Sequence, residues 1–151
     1  MSSKILGIDY GKKRIGLAIS VPGTSFAVGY KVLEITPAGI LGLVESIKEI
    51  VDKEKVSSVV IGLPKQMDNT IGIAGREVMG FADELRKNIT VSVVLWDERL
   101  TSKQAGVLLR DVNMSHKDKR EQLNVTAAQV MLQSYLDAQA NRVVQDNQED
   151  E

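Results

Sequence analysis

At 151 residues the chain suits one domain with a substantial core, and 43% hydrophobic against 26% charged residues is an ordinary globular composition. No run approaches the roughly 20 apolar residues that span a bilayer, a strand pattern from Lys4 leaves no room for a signal peptide, and the absence of cysteine excludes disulfides and thiolate metal sites, so the expected location is the cytoplasm. The net charge of −1 is unevenly spread: Asp146, Glu149, Asp150 and Glu151 crowd the C-terminus, and without them the body carries +3, which permits nucleic-acid binding without requiring it.

Residues 4–9 and 14–20 read as two strands joined by a short turn at Gly11-Lys12, the spacing of an antiparallel hairpin. Pro22-Gly23 marks a second turn, after which Phe26, Val28, Tyr30 and Val32 alternate as a third strand. Over residues 38–54, Ile40, Leu43, Val44, Ile47, Ile50 and Val51 recur at helical spacing. Residues 59–63, stopped by Pro64, form a short apolar run fit for a strand buried on both faces. A helix through Ala74, Val78, Phe81, Ala82 and Leu85 follows, with Thr70 read as its N-cap, and then a strand over residues 91–98.

Thr101-Ser102-Lys103-Gln104 has the form of a capping box ahead of Ala105, Leu108, Leu109 and Val112. Residues 115–118 open a last helix through Leu123, Ala127, Val130, Met131 and Leu136. The end of the chain has no apolar face and is expected to be disordered, giving one domain over residues 1–143 and an acidic tail over 144–151. The order β-β-β-α-β-α-β-α-α implies an α/β fold, a mixed sheet with helices on its faces. In such sheets ligands gather at the C-terminal strand ends.

Two acids stand at those ends. Asp9 is embedded among Leu6, Gly7, Ile8 and Tyr10, where a carboxylate is costly unless a cation compensates it. Glu98 ends the apolar run Val93-Val94-Leu95-Trp96. Carboxylates from separate strands suit a hard divalent cation, and so chemistry on phosphates. Asp97 alternates to the face opposite Glu98 and reads as a cap or salt-bridge partner. Lys12, Lys13 and Arg14, close to Asp9, are either a solvated turn or contacts to phosphate. His116, the only histidine, reads as an exposed loop residue, and Trp96 and Tyr135 as core.

Several motifs match one family. Leu6-Gly7-Ile8-Asp9-Tyr10-Gly11 with Arg14-Ile15-Gly16-Leu17-Ala18, Gly62-Leu63-Pro64 with Met67-Asp68, Asp97-Glu98-Arg99-Leu100-Thr101, and Ala127-Ala128 with Leu132-Gln133-Ser134-Tyr135-Leu136 resemble the bacterial YqgF (RuvX) nucleases. The resemblance spans about residues 4–137. It implies a ribonuclease H-like fold with a five-stranded mixed sheet, helices on both faces, and acidic residues that bind Mg²⁺ or Mn²⁺. It implies a metal-dependent endonuclease acting on structured RNA, at the 5′ end of pre-16S rRNA. The site would comprise Asp9, Glu98 and Asn124 as catalytic and metal-binding residues, with Lys12, Lys13, Arg14 and Arg99 on the nucleic acid.

One position departs from the pattern. The family usually carries Asp three residues before the Ala-Ala pair, where this chain has Asn124. An amide keeps an oxygen ligand but loses a full charge, so metal affinity should fall. Glu121, one turn earlier, is an alternative source of a carboxylate, whereas Asp137 lies roughly 220° round the helix from Asn124. Two other readings stay open: a Holliday-junction resolvase on branched DNA, which needs two opposed sites and hence a dimer, and an rRNA-binding assembly factor with weakened catalysis. A nucleotide-binding module is disfavoured, because the chain supplies one such domain and no Walker-type loop.

Overall fold

The computed structural model describes residues 3–64, 70–97 and 127–140. Its elements are β1 (Lys4–Tyr10), β2 (Arg14–Ser20), β3 (Ala27–Glu34), α1 (Gly39–Glu54), β4 (Val56–Leu63), α2 (Ile73–Asn88) and β5 (Ser92–Asp97). Residues 127–140 form a further helical segment, called here the terminal helix. The five strands make one sheet in the order β3-β2-β1-β4-β5. β1 pairs antiparallel with β2, and β2 with β3, while β1–β4 and β4–β5 are parallel. Parallel pairs need crossovers, and α1 and α2 supply the two that lead into β4 and β5.

Strand periodicity sorts the core into two layers. On one face Leu6 and Ile8 of β1, Ile15 and Leu17 of β2, and Val59 and Ile61 of β4 pack with the apolar stripes of α1 and α2. Those stripes include Leu43, Val44 and Ile47 on α1, and Val78, Phe81 and Leu85 on α2. Phe81 is fully buried, which stabilises the fold by about 1.5–3 kcal/mol relative to leaving it in water. On the other face Ala18, Val60, Val94 and Trp96 meet Ala128, Met131, Leu132 and Leu136 of the terminal helix. The sheet is therefore covered by helices on both sides, as expected.

At the lower end of the sheet, away from Asp9, Lys4 donates to Glu54 (3.0 Å) and the Tyr30 hydroxyl donates to the other oxygen of the same carboxylate (3.2 Å). The Lys4 hydrogen bond is the largest influence holding Glu54 below the usual carboxylate range. The pair joins β1 and β3 to the end of α1.

Three local expectations change. Pairing of β3 starts at Ala27 opposite Ser20, so Phe26 belongs to the turn and is 65% exposed rather than part of an alternating strand. β4 begins at Val56, because the stretch before Val59 pairs with Lys4 and Ile5 of β1. The N-cap of α2 is Gly72, with no side-chain cap, rather than Thr70. Close packing fixes that start: a Cβ on Gly75 would lie 2.5 Å from Ile71 and 2.9 Å from the Pro64 carbonyl.

Gly7 has a comparable role on the opposite face. A Cβ there would lie 2.9 Å from the Leu132 Cβ, a contact that only movement of the helix or strand could relieve. The glycine thus sets how closely the terminal helix approaches β1. Gly7→Ala should cost about 1–3 kcal/mol through overpacking, read as a lower urea midpoint with an unchanged slope.

Candidate active site

Asp9 is the next-to-last residue of β1, half-buried, at the C-terminal end of a central strand. Ile5 and Gly7, its alternating neighbours, both meet the terminal helix, so Asp9 shares that face. The register leaves room around it. Gly16 of β2 is directly opposite Asp9, and on the other side Ile8 is opposite Ile61, the residue before Gly62. Neither neighbouring strand therefore projects a side chain beside the carboxylate at this level. Gly62 is in turn opposite Trp96 of β5, which lies on the same face.

The terminal helix descends over this face. Leu132 sits against Gly7, and Leu136 joins the cluster that includes Ile5. Four residues of helix and two of strand cover similar lengths, about 6 Å each. One turn back from Leu132, the fully buried Ala128 therefore stands level with Asp9. Trp96 packs edge-on against Tyr135, with ring centroids 5.4 Å apart, and its indole N–H donates to Ser134 at 3.3 Å. These two aromatics are partly buried and pack against the core layer beneath the terminal helix.

No side chain among the described residues forms a hydrogen bond or ion pair with the Asp9 carboxylate. Arg14, on the same face of β2 as Gly16, reaches instead across to Glu34 of β3, with Nε 3.9 Å from the carboxylate. Lys12, Lys13 and Arg14 line a recess of about 300 Å³ with Glu34 and Ile35. The turn that carries them is closed by the Gly11 N–H donating to the Arg14 carbonyl at 2.9 Å. A Cβ on Gly11 would lie 2.5 Å from that same oxygen, so the tight turn requires glycine.

Tyr10 points to the other face and stacks on Phe81, with centroids 5.0 Å apart. Burial, and then the charge of Glu77, raise its phenol above the ordinary value. Asp97 alternates with Trp96 and goes with Leu95 to the α1–α2 side, away from Asp9. Glu98, Arg99 and Asn124 lie outside the described residues, as do Glu121, His116, Met67 and Asp68. Among the described residues no three Asp, Glu, His or Cys side chains gather as a metal-binding group.

The structure thus brings Asp9 together with Arg14 on one face and Lys12 and Lys13 at one recess. Gly16 and Gly62 emerge as part of the site through the register. Their sequence signal was a glycine interrupting each of two apolar strands.

A half-buried carboxylate with space on both sides is a hard oxygen donor suited to Mg²⁺ or Mn²⁺, and comparison with known proteins agrees with a catalytic fold of this kind. Residues 3–138 match the family model described as "RuvX: Holliday junction resolvase". A protein of Caldanaerobacter subterraneus subsp. tengcongensis named "Putative pre-16S rRNA nuclease" is 42% identical over 139 residues, covering 91% of this chain and 99% of the relative. One of the same name from Listeria innocua serovar 6a is 40% identical over 134 residues, covering 89% and 97%. Among solved structures, Thermus thermophilus RuvC superposes with a TM-score of 0.57 at 16% identity, covering 91% of this chain and 96% of that one. The Fowlpox virus resolvase, solved with Holliday junction DNA, gives 0.55 at 13%, covering 89% and 97%. The two structural likenesses establish the ribonuclease H-like fold, and the sequence matches establish that this chain belongs to the RuvX family.

Proposed function

We propose that this chain is a metal-dependent endonuclease that hydrolyses phosphodiester bonds in structured RNA, with the 5′ end of pre-16S rRNA as its target. The observation that carries the reading is the Asp9 carboxylate: half-buried at a C-terminal strand end, flanked by Gly16 and paired with no described side chain. A carboxylate kept there with no cation paired to it among the described residues has the character of a ligand. The names of the relatives, at 42% and 40% identity over almost their whole length, support RNA as the substrate.

Glu98 and Asn124 complete the proposed site. Glu98 follows Trp96 by two residues, the repeat of a strand, and Trp96 lies on the face of Asp9. Asn124 precedes Ala128, Leu132 and Leu136 in steps of four, the spacing of one helix face. An ion bound by these groups would supply charge stabilisation at the phosphate and acidify a water molecule. The chain's own residues do the rest. Lys12, Lys13, Arg14 and Arg99 hold the flanking phosphates, which sets the register of the backbone without reading bases. Asp9 and Glu98 would hold the ion beside the scissile phosphate. Water oxygen attacks phosphorus in line as the opposite P–O bond breaks, the water's proton passing to solvent and the leaving oxygen taking one up.

Asp9→Asn should lower cleavage of structured RNA by at least about 100-fold with little loss of folding stability. Asn124→Asp should raise Mg²⁺-supported activity and narrow the advantage of Mn²⁺, because it restores a charged ligand. Full activity in Asp9→Asn would remove the carboxylate from the mechanism. Changing Lys12, Lys13 and Arg14 together to Ala should weaken RNA binding for all sequences alike and lower the slope of log K against log salt by up to about 2–3. An unchanged slope would make them a solvated turn.

A further inference from the structure

Apolar contacts hold the terminal helix against the sheet but do not fix its height, because hydrophobic contact is non-directional and tolerates sliding. Directional contacts are needed for that, and among the described residues they lie at the two flanks. On the β5 side the Trp96 indole N–H reaches Ser134. On the β3 side two glutamines grip the backbone of an edge strand. The Ala27 N–H donates to Oε1 of Gln133 at 2.9 Å, and Nε2 of Gln129 donates to the Ala27 carbonyl at 3.1 Å. Nε2 of Gln133 also donates to the Ser25 carbonyl at 2.7 Å and to Asp137 at 3.0 Å, which holds the amide in one orientation.

Both backbone groups of Ala27 are thus satisfied by the helix, as another strand would satisfy them. Because the Ala27 N–H donor and carbonyl acceptor are main-chain groups at the start of β3, the helix is indexed to the same sheet that carries Asp9. We propose that Gln129 and Gln133 are positioning residues for the metal-binding site, holding the terminal helix at the height that sets Ala128 against Asp9. A slip by one turn would move Ala128 by about 5 Å relative to Asp9, and a displacement near 1 Å in a site already costs catalysis about 100-fold. Neither glutamine touches the reacting atoms. The inference rests on the metal-dependent reading of the site.

The test is a calorimetric titration of the full chain with Mn²⁺ alone, beside its thermal unfolding. Gln129→Met with Gln133→Met keeps side-chain length and removes the grip. Val44→Ala is the control, since it loosens the packing of α1 on the opposite face of the sheet. The double variant should bind Mn²⁺ at least about tenfold more weakly, the loss typical of removing groups that orient metal ligands. Val44→Ala should lose thermal stability yet bind as the unsubstituted chain does. Gln129→Met alone, which removes one bond, should shift affinity in the same direction by less and serves if the double variant does not fold. Affinity in the glutamine variants equal to that of Val44→Ala would overturn the proposal. A failure of the unsubstituted chain to bind Mn²⁺ would overturn the metal reading beneath it, and is seen before any variant is made.

Discussion

β1 is packed on both faces, and its two-residue period decides what each face does. Leu6 and Ile8 enter the layer made by α1 and α2, so Ile5, Gly7 and Asp9 must face the terminal helix. Of these three, only Gly7 lets the helix come so close, and only Asp9 carries charge. A shift of one residue in the strand register would exchange the layers, burying the carboxylate on the face of Phe81 and turning Leu6 and Ile8 toward the terminal helix. The apolar core therefore holds the acid in place more firmly than any hydrogen bond to the acid itself could.

The chemistry follows from what surrounds that carboxylate. Gly16 opposite it removes a neighbour that would otherwise fill the space. Arg14, on the same face, reaches from β2 toward Glu34 of β3 instead. That pair is long and partly exposed, worth at most a few tenths of a kcal/mol to stability. Its effect on direction is the larger one, since it holds the guanidinium toward β3, where Arg14 lines the recess with Lys12 and Lys13. The lysines of the turn add to the positive side of this end of the sheet, where a nucleic-acid backbone would meet it.

Much of this was legible in the sequence, and the exceptions have a common cause. An acid inside Leu6-Gly7-Ile8-Asp9-Tyr10 stands out because burial is costly for it, and the helical spacing of Leu43, Val44 and Ile47 is equally plain. Features that depend on what lies across the sheet were not legible. Gly16 and Gly62 look like ordinary strand glycines until the register sets them around Asp9. Gln129 and Gln133 look like solvated helix positions until the edge of β3 arrives beside them. Phe26 continues an apolar alternation, but pairing starts one residue later. Thr70 is a good capping residue, yet the start of α2 is decided by Gly75 packing under Ile71 and Pro64.

The proposed role of Asp9 as a metal ligand, on the face shared with the terminal helix, can be seen in an anomalous difference map from crystals of the full chain soaked in Mn²⁺. A peak is expected about 2–2.5 Å from an Asp9 carboxylate oxygen, on the side of Ala128. A peak elsewhere in the chain, or an Asp9 carboxylate occupied by a protein cation at saturating Mn²⁺, would contradict it.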